Sequence, residues 1–544
     1  MFEPSAHLDT FARDRLPPPE EMPRTIFTLP ALRFPPRLNC AEHILALGRA
    51  AAGDSAPAIA APGCTWSYAR LEAESNRIAR VLVEDFRLVP GQRVLLRAPN
   101  TPMLAACWFA VLKAGGIVVA TMPLLRTRDL VPILEKARVN LALCDARLVQ
   151  DLAEAQRLTL PFPIVTFSAI GGGDEELDRR MHGRPEHFAA VATARDDVAA
   201  IAFTSGTTGA PKGTLHFHSD IAAMGAVAGE HVFRLGPGDT VIGSPPLAFT
   251  FGLGALLTFP LSLGASTVLL ESAPPQELAS AIDRFGATVC ATAPTAYRAM
   301  LKYLDRRGPV SLRRCVSAGE HLPLQTFRQW HERTGIPISN GLGTTEMTHM
   351  FIGATDGDIR PGAIGRALPG YEVCILGPDN RPLPPGQSGR LAVRGPTGCK
   401  YLEDPRQRDY VVEGWNVTGD ICVIDADGYV WYECRSDDMI VSAGYNISGP
   451  EVEQALLPHP AVQECAVVAA PDPERGFVVM AFVVPSPGYT ADAALTRTLQ
   501  DFVKQSIAPY KYPRVIEYVD ALPKTQTGKL QRSELRARAA RAGH

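Results

Sequence analysis

Residues 198–213 read Val198-Ala199-Ala200-Ile201-Ala202-Phe203-Thr204-Ser205-Gly206-Thr207-Thr208-Gly209-Ala210-Pro211-Lys212-Gly213. The apolar run 198–203 has the character of a strand buried on both faces. It empties into a loop of hydroxyls and glycines with one lysine. Glycines let a backbone turn sharply and approach a ligand closely. Freed N–H groups and the hydroxyls of such a loop can cradle phosphate oxygens, and Lys212 adds positive charge. A Walker A loop is excluded, because GxxxxGK[ST] does not fit. Standing alone, such a loop is more often a polar surface turn, so its neighbours must decide.

Outward from this stretch, short apolar runs alternate with helical spacing. Arg93-Val94-Leu95-Leu96 reads as a strand, Pro102 to Lys113 as a helix and Ile117 to Ala120 as the next strand. The rhythm recurs at Leu141 to Cys144, Thr267 to Leu270 and Thr288 to Cys290, and it implies parallel sheet units. A helix follows Thr65-Trp66-Ser67-Tyr68, with Leu71, Ile78, Ala79 and Leu82 on one face. From about Gly362 to Tyr432 the texture turns β-rich, with Gly, Pro and an Asp427-Gly428 turn. Beyond Arg435, helix-like and strand-like runs at Glu451 to Leu457, Val462 to Val468, Val478 to Val484 and Leu495 to Ser506 form a small α+β unit. The fold class is α/β: a large N-terminal domain of parallel α/β subdomains plus a β-rich subdomain (1–435), then a small α+β C-terminal domain (436–544). The Pro-rich first 35 residues read as a strap over the surface.

Composition is that of an ordinary globular enzyme, at 46 % apolar and 20 % charged residues over 544. A net charge of -3 gives no field that points to nucleic acid or an anionic membrane. Eleven cysteines form no CxxC pair and no zinc spacing. They read as reduced core thiols, which favours a cytoplasmic location. The N-terminal MFEPSAHLDTFARD carries charges where a secretory leader needs an apolar stretch. Residues 241–270 carry no charge, but Pro245, Pro246, Pro260 and several glycines interrupt them. A buried pocket wall is expected there rather than a membrane span.

The 204–213 string resembles the phosphate-loop motif of the adenylate-forming superfamily: acyl- and aryl-CoA ligases, peptide-synthetase adenylation domains and luciferases. Other motifs of that superfamily follow in order. Gly341-Leu342-Gly343-Thr344-Thr345-Glu346 is similar to its YGxTE element and Thr418-Gly419-Asp420 to its TGD element. Arg435-Ser436-Asp437-Asp438 with Gly444-Tyr445-Asn446-Ile447 is similar to its hinge, and Pro523 to Lys529 with Arg532 to its PKTxxGK motif. The resemblance covers residues 40 to 540 and implies ATP, coenzyme A and Mg²⁺ as co-substrates and cofactor. It implies Lys529 as the cation between the acid's carboxylate and the α-phosphate, where two anions must be brought together. Glu346 is implied as the magnesium carboxylate, with the Thr208 hydroxyl nearby; a helix-capping glutamate is the plainer alternative. Asp420 and Arg435 are implied to hold the ribose, against an ordinary Asp–Arg contact across a domain boundary. Ala318-Gly319-Glu320 resembles the adenine-binding turn. Thr204, Ser205, Gly206, Thr207, Gly209 and Lys212 would cradle phosphates, with Gly341, Gly343, Thr344 and Thr345 around the nucleotide. The family rotates its small domain between half-reactions. Asp437 is the carried-over pivot, and Gly444 belongs to the loop that lines the thiol tunnel.

For the acid, Phe249 stands at the family's variable aromatic position, with Phe251 two residues on. Ala293, Pro294, Thr295, Gly341, Leu342 and His349 are expected to border the same space, which suits a small aromatic ring. Gly341 to Met347 with His349, and Phe251 to Gly254, resemble the benzoate-CoA ligase group. The N-terminal Pro4-Ser5-Ala6-His7 and Arg37-Leu38-Asn39-Cys40 look like 2-aminobenzoate-CoA ligases. A carrier-protein thiol as acceptor, a non-aromatic acid and a homo-oligomer stay open. His216 and His218 read as structural. Phe477 and Met480 replace polar residues usual in the family, which puts the small domain's contacts with the CoA nucleotide in doubt.

Overall fold

A computed structural model describes residues 2–204, 211–304, 311–436, 438–442, 445–472, 476–524 and 530–542. Two large sheets carry the N-terminal domain. The first has six strands, in the order Ile164–Phe167, Leu141–Asp145, Arg93–Arg97, Ile117–Thr121, Val198–Thr204, Lys212–Phe217. The second has nine, with Met350–Gly353, Ile338–Gly343, Arg314–Ser317, Val289–Thr292, Thr240–Gly243, Ser266–Val268 and Pro57–Ala61 at its centre.

Side-chain alternation explains the layering. Val94 and Leu96 of the first sheet share one core with Val241, Ala291 and Val316 of the second. Leu95, on the opposite face, packs with Leu130 and Leu134 of the helix Thr127–Ala137. Ile242 and Cys290 likewise face outward onto Ile282 and Trp330. Helices therefore lie between the sheets and on both outer faces. The helix Pro102–Lys113 is buried along its whole length between them, as expected for a helix apolar on every side. Thr101 Oγ1 accepts from Leu104 N at 3.2 Å, and Pro102 opens the first turn. Its terminal Lys113 ammonium is buried, 2.9 Å from Asn76 Oδ1 and 3.4 Å from Glu72. Emptying this core, as Phe109→Ala would, costs about 3–5 kcal/mol.

The parallel rhythm holds at the sheet centres but not at the edges. Cys64–Ser67, Lys212–Phe217 and Met350–Gly353 run antiparallel to their neighbours. Each follows its partner after a connection too short for a crossover. The β-rich subdomain is an antiparallel sheet built on Ser388–Arg394 and Trp415–Ile424. Residues 241–270 fold as strand, short helical turns and strand. Among the described residues no helix is long and apolar enough to cross a membrane.

The small C-terminal domain wraps a three-stranded sheet (Val462–Asp472, Gly476–Pro485, Val515–Tyr518) in helices on both faces. Met480 lies in its core with Leu535. Phe477 is 44 % exposed. The N-terminal strap is tied down by Asp197, which accepts from Ala6 N at 2.9 Å and pairs with Arg13 at 3.0 Å.

Candidate active site

The parallel strands of the nine-stranded sheet end together, the usual place for a ligand in an open α/β sheet. Strand 240–243 leads to Phe249, strand 289–292 to Pro294 and Thr295, strand 314–317 to Ala318, Gly319 and Glu320, and strand 338–343 to Glu346. These segments border one cleft of about 1150 Å³, closed on its far side by Glu464, Lys524, Leu530 and Arg532 of the small domain.

Thr204 and Lys212 are the last paired residues before the connection of an antiparallel hairpin. Lys212 lines the cleft, with Nζ 5.3 Å from the centre of the Tyr401 ring. Ser205, Gly206, Thr207, Thr208 and Gly209 lie outside the described residues, as does the suggested metal role of Thr208. Gly341, Gly343, Thr344, Thr345 and Glu346 all border the cleft. At Gly343 an added Cβ would stand 2.5 Å from the His349 carbonyl oxygen, so only glycine fits there. Glu346 sits in a turn between antiparallel strands and no helix follows, which overturns the capping alternative. Its Oε1 accepts from the Tyr401 hydroxyl at 2.6 Å. Burial and the neighbouring Glu346 charge push that phenol's pKa well up, so Tyr401 stays a donor. Thr344 Oγ1 shares a hydrogen bond of 3.0 Å with the Tyr410 hydroxyl.

Asp420 is 3 % exposed and lies across from Arg435 on the adjacent strand. Arg435 Nη1 donates to Asp420 Oδ1 at 3.0 Å and to the Thr418 carbonyl at 2.9 Å. The pair therefore sits within one sheet, not across a domain boundary. Burial raises the Asp420 pKa, and Arg435 acts against it. Thr418 Oγ1 donates to Asp420 Oδ2 at 2.8 Å. A carboxylate held this way still has lone pairs for sugar hydroxyls.

Phe249, Phe251, Leu342 and His349 line the cleft as expected. Ala293 does not. It is the residue before the helix Pro294–Met300, and that helix instead brings Pro294 and Thr295 to the wall. His216 and His218 are fully buried, which drives both imidazoles down to about 3. His216 Nδ1 bonds Thr348 Oγ1 at 3.1 Å and His218 Nδ1 bonds the Cys40 N–H at 3.1 Å, so both are structural.

Lys529, Asp437 and Gly444 lie outside the described residues. The strand-like bridge between Lys524 and Leu530 brings both ends of the Lys529 segment to the cleft. Three further residues were not legible beforehand. Asn340 borders the cleft with its Oδ1 buried and unpaired. Tyr401 meets Glu346 from 55 residues away in the chain. Arg298 Nη2 bonds Glu464 Oε1 of the small domain at 3.1 Å. None belongs to a motif, and only the fold brings them together.

The donor set suits a nucleotide. Among the described residues no group of three or more His, Cys, Asp or Glu side chains could cage a metal. A single carboxylate, Glu346, in the same cleft as the Lys212 ammonium fits Mg²⁺, which keeps water and phosphate oxygens as its other ligands.

Comparison with known proteins agrees. The AMP-binding enzyme family matches residues 48–401, and its C-terminal domain matches residues 451–529. The chain is 34 % identical to the benzoate–CoA ligase of Thauera aromatica, over 94 % of this chain and 98 % of that protein. It is also 34 % identical to the mouse (Mus musculus) mitochondrial acyl-coenzyme A synthetase ACSM3, over 87 % and 84 %. The crystal structure of the anthranilate CoA ligase AuaEII with anthranoyl-AMP superposes with a TM-score of 0.88 at 33 % identity, covering 94 % of this chain and 99 % of that one. The cleft, the ordered motifs and these matches lead to one statement: the chain belongs to the AMP-binding enzyme family.

Proposed function

We propose that this protein is an ATP-dependent, AMP-forming ligase that joins a small aromatic carboxylic acid to coenzyme A. The observation that carries the reading is the single cleft in which Glu346, Lys212 and the Asp420–Arg435 pair adjoin an aromatic and apolar wall of Phe249, Phe251 and Leu342. In the first half-reaction the acid's carboxylate oxygen attacks the α-phosphorus of ATP, and pyrophosphate leaves. In the second the CoA thiol attacks the acyl carbon, and AMP leaves.

Each residue has a task. Asp420 and Arg435 fix the ribose, which holds the α-phosphate in register with the acid. Lys212 and the loop before it hold the outgoing phosphates. Glu346, oriented by Tyr401, would hold Mg²⁺, which offsets phosphate charge when bound. Lys529 would meet the charge that grows on the α-phosphate. The aromatic and apolar wall receives the ring and excludes water from the reacting carboxylate. We take residues 436–438 as the start of the small domain, with Asp437 as its pivot. Eleven unpaired cysteines support a cytoplasmic location.

The test is CoA-dependent AMP formation across benzoate, 2-aminobenzoate, hydroxybenzoates and medium-chain fatty acids, with a carrier protein as the alternative acceptor. Aromatic acids should give the highest kcat/KM, with CoA as acceptor. Preference for a medium-chain fatty acid would replace the aromatic reading, and AMP release only with a carrier would replace CoA.

A further inference from the structure

Tyr401 belongs to a buried stretch that is paired with a strand along one edge. It forms a bridge with Thr214. Leu215 N donates to the Lys400 carbonyl at 2.7 Å, and Leu402 N donates to the Gly213 carbonyl at 2.8 Å. Residues 400–402 thus lie against the strand Lys212–Phe217. On the other edge, side-chain amides take the place of a strand. Cys399 N donates to Asn416 Oδ1 at 2.8 Å, and Tyr401 N donates to Gln407 Oε1 at 2.9 Å.

Gln407 is 2 % exposed and its whole amide is engaged. Nε2 donates to the Cys399 carbonyl at 3.1 Å and to the Glu21 carbonyl of the N-terminal strap at 2.9 Å. Oε1 also accepts from the Cys399 thiol at 3.6 Å. A glutamine offers two donors and two acceptor sites, and all four are used. The strap presses on the same stretch. A Cβ at Gly398 would stand 2.6 Å from Pro23 Cγ. Arg24 N and Ile26 N donate to the Gly414 and Gly395 carbonyls, each at 2.9 Å. Gln407 also opens the short helix Gln407–Tyr410, whose last residue bonds Thr344, two positions before Glu346.

A buried donor or acceptor stripped of its partner is costly. Without this amide, the Tyr401 N–H and the Cys399 and Glu21 carbonyls each lose a partner. The stretch can recover them only by moving, and a shift of about 1 Å breaks the bond from the Tyr401 hydroxyl to Glu346. We propose that Gln407 is a positioning residue for Glu346: it ties Tyr401 to the N-terminal strap, which makes the strap a working part of the nucleotide site. Gln407 stands behind Tyr401, outside the cleft wall, and acts through it. The inference rests on the reading of Glu346 as the Mg²⁺ carboxylate.

The experiment measures ATP affinity by titration calorimetry in the absence of any acid substrate, once with Mg²⁺ and once with EDTA. It uses the full-length wild type, Gln407→Met, Tyr401→Phe and the double variant. Methionine keeps the length of the side chain and removes its hydrogen bonds. The gain in ATP affinity that Mg²⁺ gives should fall about tenfold in Gln407→Met. A general loosening of the fold would weaken ATP equally in both media and leave that gain unchanged. In the double variant the loss should stay near the larger single loss, because both substitutions act on one contact. An unchanged Mg²⁺ gain in Gln407→Met overturns the proposal, and so does a double variant in which the two losses multiply. Should Gln407→Met not fold, Gln407→Glu, which keeps an acceptor for the Tyr401 N–H but loses donors, goes through the same cycle under the same criteria. If the wild type binds ATP no better with Mg²⁺ than with EDTA, the metal reading of Glu346 fails too. If the wild type responds to Mg²⁺ and the variants match it, this inference fails alone.

Discussion

The Tyr401 hydroxyl donates to Glu346 Oε1 at 2.6 Å, fixing one oxygen of the proposed metal carboxylate, whose residue borders the cleft. Tyr401 is itself 1 % exposed and cannot swing away. Partners that orient a metal ligand commonly matter about 10–100-fold in metal affinity or activity. Tyr401→Phe is therefore expected to raise the Mg²⁺ concentration for half-maximal adenylation about tenfold while the fold stays intact. A magnesium titration of pyrophosphate exchange reads this out, and an unshifted midpoint would separate Tyr401 from the metal site.

Lys529 should act on one half-reaction only. Lys529→Ala is expected to reduce acid-dependent pyrophosphate exchange by about 10²–10³-fold, while thioester formation from supplied acyl-adenylate stays largely intact. Equal loss of both steps would show that the lysine does not serve adenylation in particular.

Arg298 holds the small domain at the cleft through Glu464, which also accepts from Lys524 Nζ at 2.8 Å. The Arg298 and Glu464 side chains are 34 % and 22 % exposed, so solvent screens the pair. Arg298→Ala should weaken adenylation only about two- to fivefold. The exchanged pair, Arg298→Glu with Glu464→Arg, should recover part of it. Additive losses in the double variant would remove the pair as a positioning contact.

Buried histidines should make stability depend on acid. Burial lowers His216, His218 and His349 to about 3 from an ordinary 6.5. Between those values the unfolded chain binds protons that the native one refuses, so stability rises with pH and is lost as pH falls below 6.5. Each histidine contributes up to about 1.4 kcal/mol per pH unit across that window. Urea midpoints should drop from about pH 7.5 to pH 5, and His218→Asn should flatten the slope even though it lowers the absolute midpoint. A slope identical to wild type would falsify the protonation account.

Much of this protein is local in origin. The alternation of Val94, Leu95 and Leu96 and the apolar 102–112 specify strands and a sandwiched helix through neighbours in the chain. The family's motifs likewise marked Glu346, Asp420 and Arg435, and all three line the one cleft. What periodicity does not encode is which distant segments meet. The antiparallel edges, the displacement of Ala293 by Pro294 and Thr295, the Tyr401–Glu346 bond and the packing of His349 among Phe233, Phe251 and Phe259 arise from packing between elements far apart in sequence. A hydrogen bond or a ring contact depends on ångström-scale placement, and that placement exists only once the sheets and helices have closed on one another.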